Sequence, residues 1–217
     1  MSNPAFTSSI DFTATDYTLI EEKTAYQGFF ALRKLTLKHK LFKGGWTQPI
    51  HRELFVRGQA VGVLAYDPWQ DKVVMVEQFR VGAMNDPKSP WLLEVIAGMI
   101  EENEPPEAVA HRETKEESGL TILHLEHLYT YYSSPGGSDE QIILYLGIVD
   151  SNQVNNGDIG GLATEHEDLR VTLLHRTDAL QETINGKAAN TLSIIALQWL
   201  TLNHQRLQAS WVKQQPQ

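Results

Sequence analysis

Apolar and polar residues alternate through FFALRKLTLKHKLF, around Leu35 and Leu37, with the two-residue period of a strand. A turn follows at Lys43-Gly44-Gly45, and TQPIHRELFVRG runs on toward Gly58. Residues 1–57 therefore read as a β-rich N-terminal unit. Three short strands bury little by themselves, so this unit needs a partner surface. From residue 58 the pattern changes. AVGVLAYD and KVVMVEQF are apolar, β-branched strands separated by the turn signal DPWQD, and PWLLEVIAG is a further strand. PPEAVAHRETKEESG carries helix punctuation at both ends. Pro106 suits the first helical position, Glu107 favours the N-terminal dipole and Gly119 is a fitting C-cap. LTILHLEHLYTYY and QIILYLGIVD follow as strands around SSPGGSDE. After a glycine-rich loop at about 150–167 come the strand LRVTLLH, a short helix TDALQETING and a longer amphipathic helix AANTLSIIALQWLTLNHQ. The pattern predicts an N-terminal unit over 1–57, a main domain over 58–208 and a fraying tail over 209–217. Strands mixed with few helices predict an α+β or sandwich arrangement, not a doubly wound sheet.

Composition narrows the function classes. The chain has 217 residues, 41% hydrophobic, enough for one full core with a smaller appended unit. With 18 basic and 27 acidic side chains the net charge is −9, which disfavours a nucleic-acid backbone as main partner. Cysteine is absent, which rules out disulfides and thiolate metal sites. No apolar run approaches the roughly 18 residues of a membrane span. MSNPAFTSSIDFTATDY lacks the basic and apolar regions of a signal peptide, so a cytoplasmic location is expected. Of the eight histidines none has HExxH spacing; His111 and His166 are expected on the solvent side.

One segment concentrates chemistry. RETKEESG places Glu113, Glu116 and Glu117 at helical spacings i, i+3 and i+4, where like charges oppose helix formation by a few tenths of a kcal/mol. A solvated helix face is one explanation. A divalent cation that turns the repulsion into coordination is the other, and hard carboxylate oxygens suit Mg²⁺ or Mn²⁺.

The wider stretch GMIEENEPPEAVAHRETKEESGL resembles the Nudix box. Gly98, Glu104, Arg112, Glu113, Glu116, Glu117, Gly119 and Leu120 all fall in its register. Thr114 departs, standing where an aliphatic residue is usual. The resemblance implies an α/β/α sandwich with a mixed sheet, here preceded by a small N-terminal antiparallel β-sheet domain. It also implies metal-assisted hydrolysis of a nucleoside diphosphate linked to another group. A proline about fifteen residues past the box, in SSPGG, resembles the ADP-ribose pyrophosphatase branch, and EQFR, PWLLEVIAGMIEE, SPGGSDE, GLATEHEDLRV and IALQWL extend the likeness over nearly the whole chain.

That resemblance implies roles at particular positions. Glu113, Glu117, Glu167 and the Ala97 carbonyl would hold metal, Mg²⁺ with Mn²⁺ as possible substitute. Glu116 matches a third box acid, and Glu165 the general base. Phe29 and Phe30 match aromatics beside the adenine. Arg52, Glu53, Arg57, Arg80, Met99, Ser134, Pro135, Gly136 and Glu140 match further substrate contacts. Glu94 is expected as a buried partner for an arginine. The implied reaction is hydrolysis of ADP-ribose to AMP and ribose 5-phosphate. The alternatives are a Nudix enzyme for a GDP- or UDP-sugar, and a non-catalytic module that binds ADP-ribose. The implied assembly is a homodimer with exchanged N-terminal sheets, with no nucleic-acid or membrane partner.

Overall fold

The computed structural model describes residues 12–211. The chain divides into two compact units. One comprises the chain through Arg57 together with Ser134–Asp139; the other comprises Gly58–Ser133 and the chain from Glu140 onward.

The first unit is an antiparallel sheet of β1 (Tyr17–Gln27), β2 (Ala31–His39) and β3 (Ile50–Val56). The sequence pattern gives no hint of β1, because Glu21, Glu22 and Lys23 interrupt its apolar residues. Every residue of β1 is exposed in the single chain, Leu19, Ile20 and Tyr26 included. What stabilises the strand is its ladder with β2 and cross-strand ion pairs such as Arg33 with Glu22. Within the same unit the 134–139 segment is hydrogen-bonded to β3: the Phe55 N–H donates to the Gly137 carbonyl at 2.8 Å.

The second unit is a mixed sheet between helices. It contains β4 (Gln59–Asp67), β5 (Lys72–Phe79), β6 (Trp91–Glu94), β7 (Ile96–Met99), β8 (His124–Tyr132), β9 (Gln141–Ile148), β10 (Ile159–Gly160) and β11 (Leu169–His175). The strand order is β10-β11-β5-β4-β9-β8, with β6 paired to β5 and β7 paired to β4. Only the β4–β9 pairing is parallel among these ladders.

The period of two along the central strands builds both faces. Val61, Val63 and Ala65 of β4, with Val74 and Val76 of β5, pack with Val109 and Ala110 of helix α1 (Pro106–Ser118). Leu64 and Tyr66, with Val73 and Met75, pack with Ala179 of α2 (Arg176–Asn185) and with Ala196, Leu197 and Leu200 of α3 (Thr191–Trp211). Both faces are thus covered, as the apolar composition of these strands requires. The predicted α+β sandwich with a small N-terminal sheet is the architecture observed.

Two local expectations change. PWLLEVIAG is two strands, not one: it leaves β5 after Glu94 and joins β4 at Ile96, so one apolar run serves two partners. Residues 209–211 of the expected tail belong to α3, where the Trp69 indole N–H donates to the Trp211 carbonyl at 2.9 Å, and the rest of that tail, 212–217, lies outside the described residues. No helix among the described residues is long and apolar enough to cross a membrane.

Candidate active site

Helix α1 starts after Pro105, with Pro106 and Glu107 in its first turn. It ends at Gly119 in the left-handed region (φ 76°), whose N–H returns to the Lys115 carbonyl at 2.9 Å. Its interior position 114 holds a fully buried threonine. The Thr114 hydroxyl donates to the Ala110 carbonyl at 2.7 Å, so the polar atom is satisfied inside the helix and its methyl fills the place of an aliphatic residue.

The clustered carboxylates of α1, Glu113, Glu116 and Glu117, are not a solvated face. Glu117 is 2% exposed and Glu113 is largely buried. Arg112 organises the neighbours. It grips both oxygens of Glu104 at 2.9 and 3.1 Å, and one terminal nitrogen reaches Glu113 at 2.8 Å and Glu116 at 3.1 Å. The guanidinium beside Glu104 holds that carboxyl below its usual range. Burial raises the Glu113 carboxyl, against the pull of Arg112. Burial raises Glu117 much further, and the charges of Glu113 and Glu167 add to it, while a hydrogen bond from the Ala97 backbone and the charge of Arg80 oppose it.

Close approaches explain two glycines around this cluster. Gly98 of β7 lies directly beside the Glu113 carboxylate: a Cβ there would sit 1.7 Å from its Oε1. Gly160 of β10 lies against the backbone of α1, where a Cβ would sit 1.8 Å from the Glu117 carbonyl oxygen. The Gly161 N–H donates to the Glu116 carbonyl at 3.1 Å, which fastens the 161–167 loop to the helix. Glu167 is half-buried on that loop. Ala163–Glu165 is a single 3-10 turn followed by exposed His166 at φ 56°. The Glu165 side chain lies outside the described part of the structure.

These acids suit a cation. Oε2 of Glu117 is buried and has no hydrogen-bond partner among the described residues, an arrangement that costs about 1–3 kcal/mol when nothing fills it. Beside it stand two further carboxylates whose charges raise its proton affinity. Among the described residues no three acidic or imidazole side chains form a closed metal cage. Mg²⁺ asks for less than a cage, since it keeps waters and shares its remaining positions with substrate phosphates.

Arg80 follows β5 and is held by Glu94 of β6, which is 5% exposed: its Nε and a terminal nitrogen reach Oε2 at 2.7 and 2.6 Å. The expected buried partner for an arginine is therefore Glu94, and the arginine is Arg80. Met99 ends β7 with its side chain partly exposed. Glu140 precedes β9, and its carbonyl accepts from the Ser133 N–H at 3.2 Å.

The remaining predicted contacts gather in the first unit. Phe29 and Phe30 lie in the β1–β2 turn with rings 4.7 Å apart, edge to face. Phe30 also packs edge to face on Phe55 at 5.3 Å, and the Arg57 guanidinium lies 4.6 Å from the Phe30 ring centre. The Arg57 N–H donates to Asp139 at 2.7 Å. Ser134, Pro135 and Gly136 form the turn closed by Gly137 and Ser138 donating to the Ser134 carbonyl. Arg52 and Glu53 are exposed on β3, opposite Leu35 and Lys34. Sequence reasoning missed Phe55 and Asp139. Phe55 alternates with Glu53 in TQPIHRELFVRG, so its place on the same face was readable; the pairing with a turn more than eighty residues later was not.

Comparison with known proteins adds to this geometry. The model of the family described as the NUDIX domain matches residues 56–202. An ADP-ribose pyrophosphatase of Haemophilus influenzae is 47% identical over 203 residues, covering 92% of this chain and 93% of that protein. An ADP-ribose pyrophosphatase of Escherichia coli is 42% identical over 202 residues, covering 93% and 96%. A GDP-mannose pyrophosphatase of Shigella flexneri is 30% identical over 188 residues, covering 86% and 96%. A solved ADP compounds hydrolase shares the fold with a TM-score of 0.61 at 19% identity, covering 87% of this chain and 96% of that one.

Proposed function

The chain belongs to the Nudix family, and we propose that it hydrolyses the pyrophosphate of ADP-ribose to AMP and ribose 5-phosphate. The observation that carries the reading is the buried, unpartnered Oε2 of Glu117 among like charges, in a chain so similar to two ADP-ribose pyrophosphatases. A site built this way asks for a cation, and a pyrophosphate substrate brings the oxygens that complete its shell.

Glu113, Glu117, Glu167 and the Ala97 carbonyl would hold divalent cation, Mg²⁺ or in its place Mn²⁺. Bound there, the metal would neutralise pyrophosphate charge and make water more acidic. The protein's own groups do the rest. Arg112 keeps Glu113 and Glu116 oriented through its bonds to both. Glu165 accepts the proton of the attacking water; its place on a turn beside Glu167 supports that role. Arg80 offers the donors left over from Glu94 to phosphate oxygens. Phe29, Phe30, Arg52, Glu53, Arg57 and the Ser134–Gly136 turn bind the nucleoside and its ribose, with Met99 and Glu140 as further contacts. The exposed apolar residues of β1 support a homodimer with exchanged N-terminal sheets, in which the substrate contacts from Phe29 to about Arg57 come partly from the partner chain. The absence of a spanning helix among the described residues is compatible with a cytoplasmic enzyme.

A second reading, cleavage of a GDP- or UDP-sugar, is favoured by the 30% identical GDP-mannose pyrophosphatase. A kcat/KM panel over ADP-ribose, GDP-mannose and UDP-glucose with Mg²⁺ separates the two. ADP-ribose is expected to lead. A higher kcat/KM for either sugar nucleotide would refute the reading, and binding of ADP-ribose without AMP release would favour a non-catalytic module.

A further inference from the structure

A hydrogen-bonded relay built around the buried Glu94 runs from the start of α3 to Arg80. Glu94 spends Oε2 on Arg80, through two nitrogens, and Oε1 on the side-chain N–H of Asn190 at 2.6 Å. Asn190 in turn accepts the Ser193 N–H at 2.7 Å, which caps α3. The Ser193 hydroxyl, fully buried, accepts the Val95 N–H at 3.0 Å at the break between β6 and β7. Two residues earlier the same edge is closed again, since the Leu93 N–H donates to the Lys187 carbonyl at 3.0 Å.

The chemistry of the relay is specific. A carboxylate buried at 5% exposure is costly unless both oxygens are bonded, and here both are. Arg80 keeps 43% of its side chain exposed, and its charge acts on Glu117. The fork is therefore fixed at one edge and open at the other, the condition for binding a phosphate with little loss of side-chain entropy. A structural ion pair would need only Arg80 and Glu94. The Asn190 link adds a third group that prevents the carboxylate from turning.

We propose that Glu94 and Asn190 are positioning residues that hold Arg80 in its substrate-binding orientation, so that the cap of α3 sets the geometry of a phosphate contact. The proposal rests on the reading of Arg80 as a contact to ADP-ribose.

The test is a double-mutant cycle on the full-length, Mg²⁺-loaded protein, with ADP-ribose as substrate and melting temperature as a parallel readout. Asn190→Ser keeps an N-cap oxygen but is too short to reach Glu94, so it separates capping from positioning. Glu94→Gln keeps shape and one acceptor. Each is expected to lower kcat/KM roughly tenfold, the effect of loosening one charge-assisted contact, and Asn190→Ser, which keeps the cap but takes the partner from Oε1 of Glu94, is expected to melt modestly below wild type while remaining folded. In an Arg80→Ala background neither change should lower kcat/KM further. Equal losses with and without Arg80 would overturn the proposal by showing a merely structural effect. So would wild-type kcat/KM in folded Asn190→Ser. Should Glu94→Gln fail to fold, the Asn190→Ser cycle decides alone. A wild-type protein that cleaves no ADP-ribose would overturn the functional reading itself, an outcome distinct from additive losses in an active enzyme.

Discussion

Replacing Gly98 by alanine would place a methyl carbon 1.7 Å from Oε1, 2.0 Å from Cδ and 2.4 Å from Cγ of Glu113. Non-bonded carbon atoms settle at about 3.5–4.0 Å, so the Glu113 carboxylate must move by more than an ångström. It can, because it is the end of a flexible chain, at the expense of its 2.8 Å bond to Arg112. The cost in stability is therefore that of a modest overpacking, about 1–3 kcal/mol. The cost in function is larger. Displacing one proposed metal ligand is expected to weaken the cation about 10- to 100-fold, by analogy with disturbing a ligand's supporting shell. A comparable loss in kcat follows from roughly 1 Å of misplacement. Gly160→Ala is the control: its Cβ would strike the Glu117 backbone at 1.8 Å, which cannot step aside, so destabilisation should dominate there. The assay is calorimetric titration of folded Gly98→Ala with Mn²⁺, beside the Mg²⁺ dependence of kcat. Unchanged half-saturation in a folded Gly98→Ala would refute the placement of Glu113 in the metal site.

Three further outcomes are expected. In EDTA, Glu117 has a folded pKa above its unfolded value, so the folded state binds the extra proton and stability falls as pH rises from the ordinary carboxyl value through the raised one. Glu117→Gln should remove that decline and melt above wild type at pH 8 without metal, while abolishing most turnover; parallel melting curves for the two proteins would contradict it. Thr114→Val should change stability by less than about 1 kcal/mol and leave kcat intact, because it removes a hydroxyl together with a bond made only within the helix; a large loss by thermal melting would show that the hydroxyl supports the fold. Phe30→Ala should raise KM for ADP-ribose about tenfold, the worth of one stacked base, with Phe30→Tyr near wild type; equal KM values would remove Phe30 from the nucleoside site.

The central strands were legible because β4 and β5 carry unbroken apolar runs, and α1 because Pro106 and Gly119 mark its ends. The box glutamates were legible as a cluster, since i, i+3 and i+4 spacing needs no tertiary knowledge. What pairs with what was not. The switch at Val95 is a choice between two neighbouring strands, which a continuous apolar run does not record. β1 is an exposed strand held by its ladder, so it leaves no burial pattern to read. The partnership of Glu94 with both Arg80 and Asn190 joins residues up to 96 positions apart. Nor does the chain announce that the 134–139 turn belongs with the first unit, although its proline and glycines show that it turns. The reason Gly98 is glycine lies in a carboxylate fifteen residues on, visible only when β7 lies beside α1.

The central claim is pyrophosphate cleavage of ADP-ribose at a cation site walled by Glu113 and Glu117. The direct measurement is turnover of ADP-ribose with Mg²⁺ in ¹⁸O-labelled water, with products weighed by mass spectrometry, for wild type and Glu117→Gln. Cleavage at this site yields AMP and ribose 5-phosphate in equal amounts, with one ¹⁸O in one of the two phosphates, and Glu117→Gln is expected to lose nearly all of both products. No AMP from wild type, or undiminished product from Glu117→Gln, would contradict the claim.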